Sequence, residues 1–377
     1  MSNLPASANN SHETTFPVHA TVRYQRTLVI LLFAHIWLAS SVFKEVQIAV
    51  ELILGFWLGY LFLQNNWLKH EWLLVGIYVV SMLAAVMTTD FAVALLNAKI
   101  MGLAVLSILV FSKYRFDLTL SLWILGINSL IVAYQALFNG PPFVDWMMSN
   151  VANTFSGSIN SRPPGLFMSV HYSATLVALY FIFLSRKSRV FFLFGGLLLA
   201  GHRSFFNLFS FVGQMVYEWL ALLRLKRVLY LLLLVAAIAA IVLREEIITI
   251  DLTAYSDIFT RREQLGFEII GEQIFNIDSY LQAFTFIPAD SKALAANVFA
   301  GSDAGNELQY FTILQQGGLV LAVYYLWMLF LRVNGFQFFL VLSLFHYGAA
   351  TVPIAIYLML QFSMRMHKKL EKYEVVN

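Results

Sequence analysis

Long apolar runs alternate with short polar connections along almost the whole chain. A transmembrane α-helix needs about 20 largely apolar residues, and eleven runs of 12 to 28 residues are candidate spans. They are Thr27–Phe43, Val46–Leu63, Glu71–Met87, Phe91–Phe111, Leu118–Phe138, Val170–Leu184, Val190–Gly201, Ser204–Leu223, Val228–Leu243, Asn306–Leu331 and Phe336–Ser363. The pattern predicts an all-α, polytopic membrane protein.

The charges between these runs give the chain an orientation. Basic residues concentrate in every second connection, and the cytoplasmic connections of membrane proteins carry an excess of Lys and Arg. The alternation holds along the whole chain if Val190–Leu223 is two spans broken at His202–Arg203. It also requires the last run, which contains Gly348 and Pro353, to form a hairpin. We therefore expect about twelve spans with both termini in the cytoplasm.

Two connections are long, and both fall on the outer side in this orientation. Residues 139–169 contain two Pro-Pro pairs, and residues 244–305 hold about half of the acidic residues. Loops longer than about 15 residues in a tightly connected chain are usually functional. The expected organisation is a disordered cytoplasmic tail over 1–26, a transmembrane domain over 27–365 with these two periplasmic loops, and a basic cytoplasmic tail over 366–377.

The composition supports the membrane assignment and excludes several kinds of chemistry. The chain is 60% hydrophobic and 12% charged, whereas soluble domains are about 45–50% apolar and about 25% charged. A net charge of +3 gives no reason to expect a nucleic-acid partner. Because the chain has no cysteine, disulfides, thiolate catalysis and thiolate metal sites are excluded.

Four arginines on the outer side are the candidate binding residues: Arg162, Arg203, Arg261 and Arg262. Arginine on that side runs against the usual charge bias, so each position calls for another explanation. The planar guanidinium matches a phosphate in a bidentate way, and converging arginines would suit a lipid-linked pyrophosphate. The alternative is that each arginine pairs with an acidic residue of its own loop, such as Glu263.

Two carboxylates at the end of the second long loop are candidates for a general base acting on a sugar hydroxyl. Asp303 and Glu307 are four residues apart and would share one face of a helix; the alternative is ordinary first-turn acids favoured by the helix dipole. His171 and His202 are possible accessory residues, each open to a purely structural role. No His/Asp cluster has metal-ligand spacing, so neither a bound metal nor another cofactor is predicted.

Few charges fall inside the predicted spans. Glu51, Glu71, Glu218 and Glu307 belong to this group, and most of them lie near a span end, where a long side chain can reach the interface. Lys99 lies well inside a span, where it either pairs helices or extends to the interface.

Three parts of the chain resemble the bacterial O-antigen polymerase and ligase superfamily (Wzy- and WaaL-type). Ser-Arg-Pro-Pro-Gly-Leu-Phe-Met-Ser-Val-His-Tyr (161–172) is similar to the family's R-x-x-G-x-F-x-x-P-N segment, and Gly-His-Arg-Ser (201–204) is similar to its S-R-[ST] turn. Residues 259–270 and 303–319 resemble the large outer loop and its return helix. The resemblance covers roughly residues 155–330.

The resemblance implies a GT-C-like membrane glycosyltransferase that uses undecaprenyl-pyrophosphate-linked oligosaccharides at the outer face of the inner membrane. Arg162, Arg203 and one of Arg261 and Arg262 match the family's arginine positions. The ligases have a His-Asn pair where this chain reads Ala-Gly-Asn-Glu (304–307), so the histidine is missing. Asp303 is similar in position to the acidic residue of the polymerases, which favours the polymerase branch.

The sequence therefore predicts a polymerase of lipid-linked O-antigen, capsule or exopolysaccharide repeat units in the bacterial inner membrane, with its site facing the periplasm. Its partners would be the lipid-linked oligosaccharides, the bilayer and a chain-length regulator membrane protein. The alternatives are an O-antigen ligase that transfers glycan to lipid A core, a lipid-linked oligosaccharide flippase or other transporter, and a non-enzymatic subunit of an export machine.

Overall fold

The computed structural model describes residues 18–39, 44–88, 91–138, 163–167, 169–202, 204–222, 309–344 and 350–374. Over these ranges the chain forms eleven α-helices and no β-strand. The helices are α1 Val18–Ala39, α2 Lys44–Leu63, α3 Lys69–Thr88, α4 Phe91–Lys113, α5 Thr119–Leu137, α6 Val170–Ser185, α7 Val190–Gly201, α8 Phe205–Leu222, α9 Gln309–Arg332, α10 Gln337–Ser343 and α11 Pro353–Glu374. The all-helical prediction is confirmed for these residues.

Four helices, α2 to α5, are long and apolar enough to cross a membrane, and α1, α6, α7 and α9 contain shorter apolar segments. Large side chains such as Phe56 and Trp123 are exposed on their outer surfaces, as expected for helices in contact with lipid. These lengths and compositions are those of a membrane protein. The count of about twelve spans stays a prediction, because Val228–Leu243 and residues 244–305 lie outside the described residues.

Ion pairs fasten the helices together at one end of the bundle. We call this the basic end, and it is defined by Lys113, Arg186, Arg332 and Arg365. Glu71, at the start of α3, is buried there between the Lys113 ammonium, 3.1 Å away, and the Arg332 guanidinium. The Nε of Arg186 donates to both carboxylate oxygens of Glu218 at 3.0 Å. Glu71 lies near a span end, as the sequence predicts, and two cations compensate the burial of its carboxylate there.

The last apolar run forms two helices, α10 and α11, and both outer ends of this pair lie at the basic end. Before α10, the carbonyl of Gly335 accepts a hydrogen bond from Arg186 at 2.6 Å. Late in α11, Gln361 donates to the carbonyl of Phe111 at 3.0 Å, close to the end of α4. Pro353 opens α11, a position where its missing N–H costs nothing. The run therefore enters and leaves the bundle at the same end.

Helix α9 is interrupted at Gly318, whose backbone has φ 75° and ψ 169°. Such a conformation is readily available only to glycine. Beyond the break, the hydroxyl of Tyr324 donates to the carbonyl of His70 at 2.9 Å, and Arg332 pairs with Glu71. The second half of α9 is thus attached to α3 at the basic end.

Two helices extend further than the apolar pattern predicted. Residues 18–26 and 366–374, assigned to the tails from sequence, belong to α1 and α11. A helix can continue beyond the bilayer because its backbone hydrogen bonds are satisfied within the segment, whatever the solvent. In α1 the exposed side chain of Tyr24 lies in this extension.

Candidate functional site

The proline-rich segment, defined as Pro163–Phe167, is held by buried side chains of α5. The Oε1 of Gln135 accepts a hydrogen bond from the backbone N–H of Gly165 at 2.9 Å. The Oδ1 of Asn128 accepts one from the N–H of Leu166, also at 2.9 Å. Asn128 and Gln135 are seven residues apart, which places them two turns apart on one face of the helix. Two consecutive backbone donors are therefore satisfied inside the bundle.

Helix α6 holds the same segment from the other side. The hydroxyl of Ser173 donates to the carbonyl of Pro164 at 2.5 Å. Between these attachments Gly165 has φ 65°. A Cβ on Gly165 would lie 2.5 Å from Ser173 Oγ and 2.6 Å from Asn128 Oδ1. The segment thus approaches both helices more closely than any residue with a side chain would allow.

The backbone contacts determine how the two amides are oriented. Because Oδ1 of Asn128 and Oε1 of Gln135 accept from backbone N–H groups, their amino groups must point elsewhere. Both side chains are buried, at 0% and 4% exposure. Within the described residues, Asn128 Nδ2 and Gln135 Nε2 have no hydrogen-bond partner. Two donors thus remain beneath the segment, able to bind a water or another acceptor.

A second buried polar group lies at the turn between α7 and α8. His202, which ends α7, is fully buried, and its backbone N–H donates to the carbonyl of Leu198 at 2.9 Å. Ser204 directly precedes α8, and its hydroxyl accepts from Nδ2 of Asn207 at 2.8 Å. The hydroxyl of Thr175 in α6 donates to Oδ1 of Asn207 at 3.2 Å. Asn207, in the first turn of α8, therefore connects Ser204 to α6.

The first two turns of α6 connect the two groups. Ser173 binds the proline-rich segment, and Thr175 binds the group that includes Ser204. Pro163 directly follows Arg162 in the chain, and Ser204 directly follows Arg203. The described neighbours of these two predicted arginines thus lie beside the same end of α6, on different sides of the helix, because Ser173 and Thr175 are two positions apart.

Of the predicted site residues, the structure describes two. His171 lies in the first turn of α6 and His202 at the end of α7, and both are buried. The others lie outside the described residues: Arg162, Arg203, Arg261, Arg262, Asp303 and Glu307. Within the described ranges, no three histidine, aspartate or glutamate side chains are grouped closely enough to hold a metal ion.

Asn128 and Gln135, the principal contacts of the proline-rich segment, were not among the residues predicted from the sequence. The signal was present, since two amides seven residues apart in an apolar helix lie on a single face. A polar side chain within a span usually faces the bundle interior. Pairing these amides with a segment some 30 residues later in the chain requires the tertiary structure.

Replacing Asn128 with leucine is expected to lower the free energy of unfolding by about 1–3 kcal/mol, because the buried N–H of Leu166 then loses its acceptor. Thermal unfolding of the purified protein in detergent measures the loss. Ser129→Ala is the matched control, since Ser129 donates to Leu125 O within its own helix. Equal losses in the two variants would contradict a specific role for Asn128.

Comparisons with protein-family models, curated proteins and solved structures gave no match for this chain.

Proposed function

We propose that the protein is a membrane glycosyltransferase that polymerises oligosaccharide repeat units carried on undecaprenyl pyrophosphate. One observation supports this most directly. The proline-rich segment after Arg162 is hydrogen-bonded to Ser173 of α6, and Asn207, four residues after Arg203, is hydrogen-bonded to Thr175 of the same helix. Both stretches of chain lie beside the same end of α6, which would allow two guanidinium groups to act on one pyrophosphate with several anionic oxygens.

The chemistry follows from these assignments. The hydroxyl oxygen of the acceptor sugar forms a bond to the anomeric carbon of the donor while the bond from that carbon to the pyrophosphate oxygen breaks. Arg162, Arg203 and one of Arg261 and Arg262 would stabilise the charge that grows on the leaving pyrophosphate. Asp303 or Glu307 would take the proton from the attacking hydroxyl. Holding both lipid-linked substrates in one bilayer supplies proximity.

The orientation of the bundle supports a periplasmic site. Helix α5 begins next to Phe116, a residue bound by Arg365 of the basic end, and it ends beside the proline-rich segment. The positive-inside rule assigns the basic end to the cytoplasm. The proline-rich segment would then lie at the periplasmic surface, where lipid-linked repeat units await polymerisation.

The glycan made by cells that lack the protein tests this proposal against its alternatives. Single repeat units on the lipid carrier or on core, with long chains restored by a plasmid copy, are the result expected of a polymerase. Complete loss of surface-attached glycan would contradict the proposal and indicate a ligase. Accumulation of lipid-linked units on the inner leaflet would contradict it in favour of a flippase.

A further inference from the structure

Four side chains from three helices meet inside the membrane-spanning part of the bundle. Oε2 of Glu51 in α2 lies 2.6 Å from the ammonium of Lys99 in α4. Oε1 of the same carboxylate lies 3.3 Å from Nε2 of His35 in α1 and accepts from Nε2 of Gln47 at 2.9 Å. We call His35, Gln47, Glu51 and Lys99 the Glu51 cluster.

The carboxylate of Glu51 is the buried centre of the cluster. Glu51 lies seven residues after the start of α2, and its side chain is 5% exposed, against 34% for Lys99. Unpaired ions are costly in a bilayer, so such residues pair with one another. The structure thus shows the helix-pairing role for Lys99, whose partner Glu51 lies seven residues into its helix, further from a helix end than Glu71. Losing any one partner would leave a buried polar group uncompensated.

His35 reaches the carboxylate as a hydrogen-bond donor. Nε2 faces Oε1 of Glu51, while Nδ1 is buried and without a partner within the described residues. A neutral imidazole with its proton on Nε2 fits this arrangement, because a proton on Nδ1 would have no acceptor there. A glutamine side chain can place an N–H donor where Nε2 lies, whereas leucine cannot.

The opposite side of α1 contacts the proline-rich segment. The ring of Phe33 stacks on the ring of Phe167, with centroids 5.6 Å apart and planes 14° from parallel. Both rings are buried. Phe33 and His35 are two positions apart, so they project about 200° apart around the helix. Any rotation of α1 that separates His35 from Glu51 also moves Phe33 against Phe167.

We propose that the Glu51 cluster positions the proline-rich segment through α1, with His35 as the positioning residue. The carboxylate, neutralised by Lys99, binds His35 and fixes the rotation of α1. Phe33 transmits that rotation to Phe167, five residues after Arg162. The mechanical coupling between the Glu51 cluster and the proline-rich segment is inferred from the contacts His35–Glu51 and Phe33–Phe167. The effect of this coupling on glycan synthesis rests on the proposed function.

Hydrogen–deuterium exchange of the purified protein tests the coupling without any substrate. The amides of Gly165 and Leu166 donate to buried side chains, so a displaced segment exposes them. His35→Leu is expected to raise the exchange rate of peptides covering 163–169 about tenfold, in line with loss of one hydrogen bond to a charged group. His35→Gln should keep the wild-type rate.

A control separates coupling from general loosening of α1. Leu28 is buried in the same helix, seven residues and thus about two turns before His35, and Leu28→Ala disturbs α1 packing away from the cluster. Faster exchange at 163–169 in His35→Leu but not in Leu28→Ala supports the proposal. The proposal would be overturned if His35→Leu and the wild type had equal exchange rates at 163–169. It would also be overturned if His35→Leu and Leu28→Ala raised those rates equally.

The chain length of glycan made by the same variants links this coupling to function. His35→Leu is expected to shorten the chains, and His35→Gln to restore them. If His35→Leu raised the exchange rate but left the chain length normal, the structural coupling would be supported and its effect on glycan synthesis would be contradicted. The exchange rates alone test the structural coupling, and the chain length tests its effect on glycan synthesis. Each claim can therefore be contradicted without the other.

Discussion

Replacing Gly165 with alanine is expected to abolish long glycan chains and to lower the unfolding temperature of the protein. A Cβ at this position would lie 2.5 Å from Ser173 Oγ and 2.6 Å from Asn128 Oδ1, closer than real contacts allow. The backbone also has φ 65°, which adds about 1–2 kcal/mol for an L-residue. Overpacking adds about 1–3 kcal/mol. Relieving the clash would displace the segment that follows Arg162.

Gly76→Ala is the matched control for this variant. Gly76 lies in α3, and nothing stands within 4 Å of its would-be Cβ. Alanine there is expected to leave chain length and unfolding temperature near the wild-type values, because helix interiors favour alanine over glycine. Thermal unfolding in detergent and gel profiles of the glycan give the two readouts. If Gly165→Ala kept the wild-type unfolding temperature and chain length, the prediction that the proline-rich segment needs glycine at this position would be contradicted.

Arg162→Ala and Arg203→Ala are each expected to abolish long-chain product while expression and membrane insertion stay near normal. A charge-assisted contact to substrate is worth about 1.5–3 kcal/mol, or about tenfold to a hundredfold in rate. Long chains need many successive additions, so a loss of this size removes them. Lysine at either position should rescue poorly, because an ammonium lacks the two parallel donors of a guanidinium.

The variants of Arg261 and Arg262 provide an internal comparison. Neighbouring side chains point in different directions, so one alanine variant is expected to be much more severe than the other. If the arginines only pair with loop acids, the losses should be small and salt-sensitive and should follow protein level. Near-wild-type chain length in both Arg162→Ala and Arg203→Ala would exclude the pyrophosphate site.

The limits of many helices could be predicted because the length of an apolar run in the sequence corresponds to the length of the helix that it forms. The run Val190–Gly201 has the same limits as α7, and Phe91–Phe111 ends two residues before α4 does. The predicted break at His202–Arg203 lies between α7 and α8. Proline and glycine likewise marked the division of the last run, which the structure resolves into α10 and α11.

The contacts that hold the candidate site could not be predicted in the same way. Hydropathy gives each helix an inward face but does not identify the neighbour that this face meets. Gln135 binds a backbone amide 30 residues later in the chain, and Glu51 joins residues from two other helices. The roles of Asp303 and Glu307 remain predictions, since both lie outside the described residues.

The break at Gly318 bears on how the chain is built into the membrane during synthesis. The fourteen residues from Leu319 to Arg332 extend about 21 Å as a helix, less than the roughly 30 Å of hydrocarbon in a bilayer. The sequence of the half before the break includes Gln315 and Gln316, two polar residues. Neither half would partition into lipid efficiently alone, so α9 is expected to enter against the already assembled α3 and α4. Biogenesis of the C-terminal third would then depend on the N-terminal bundle having folded first.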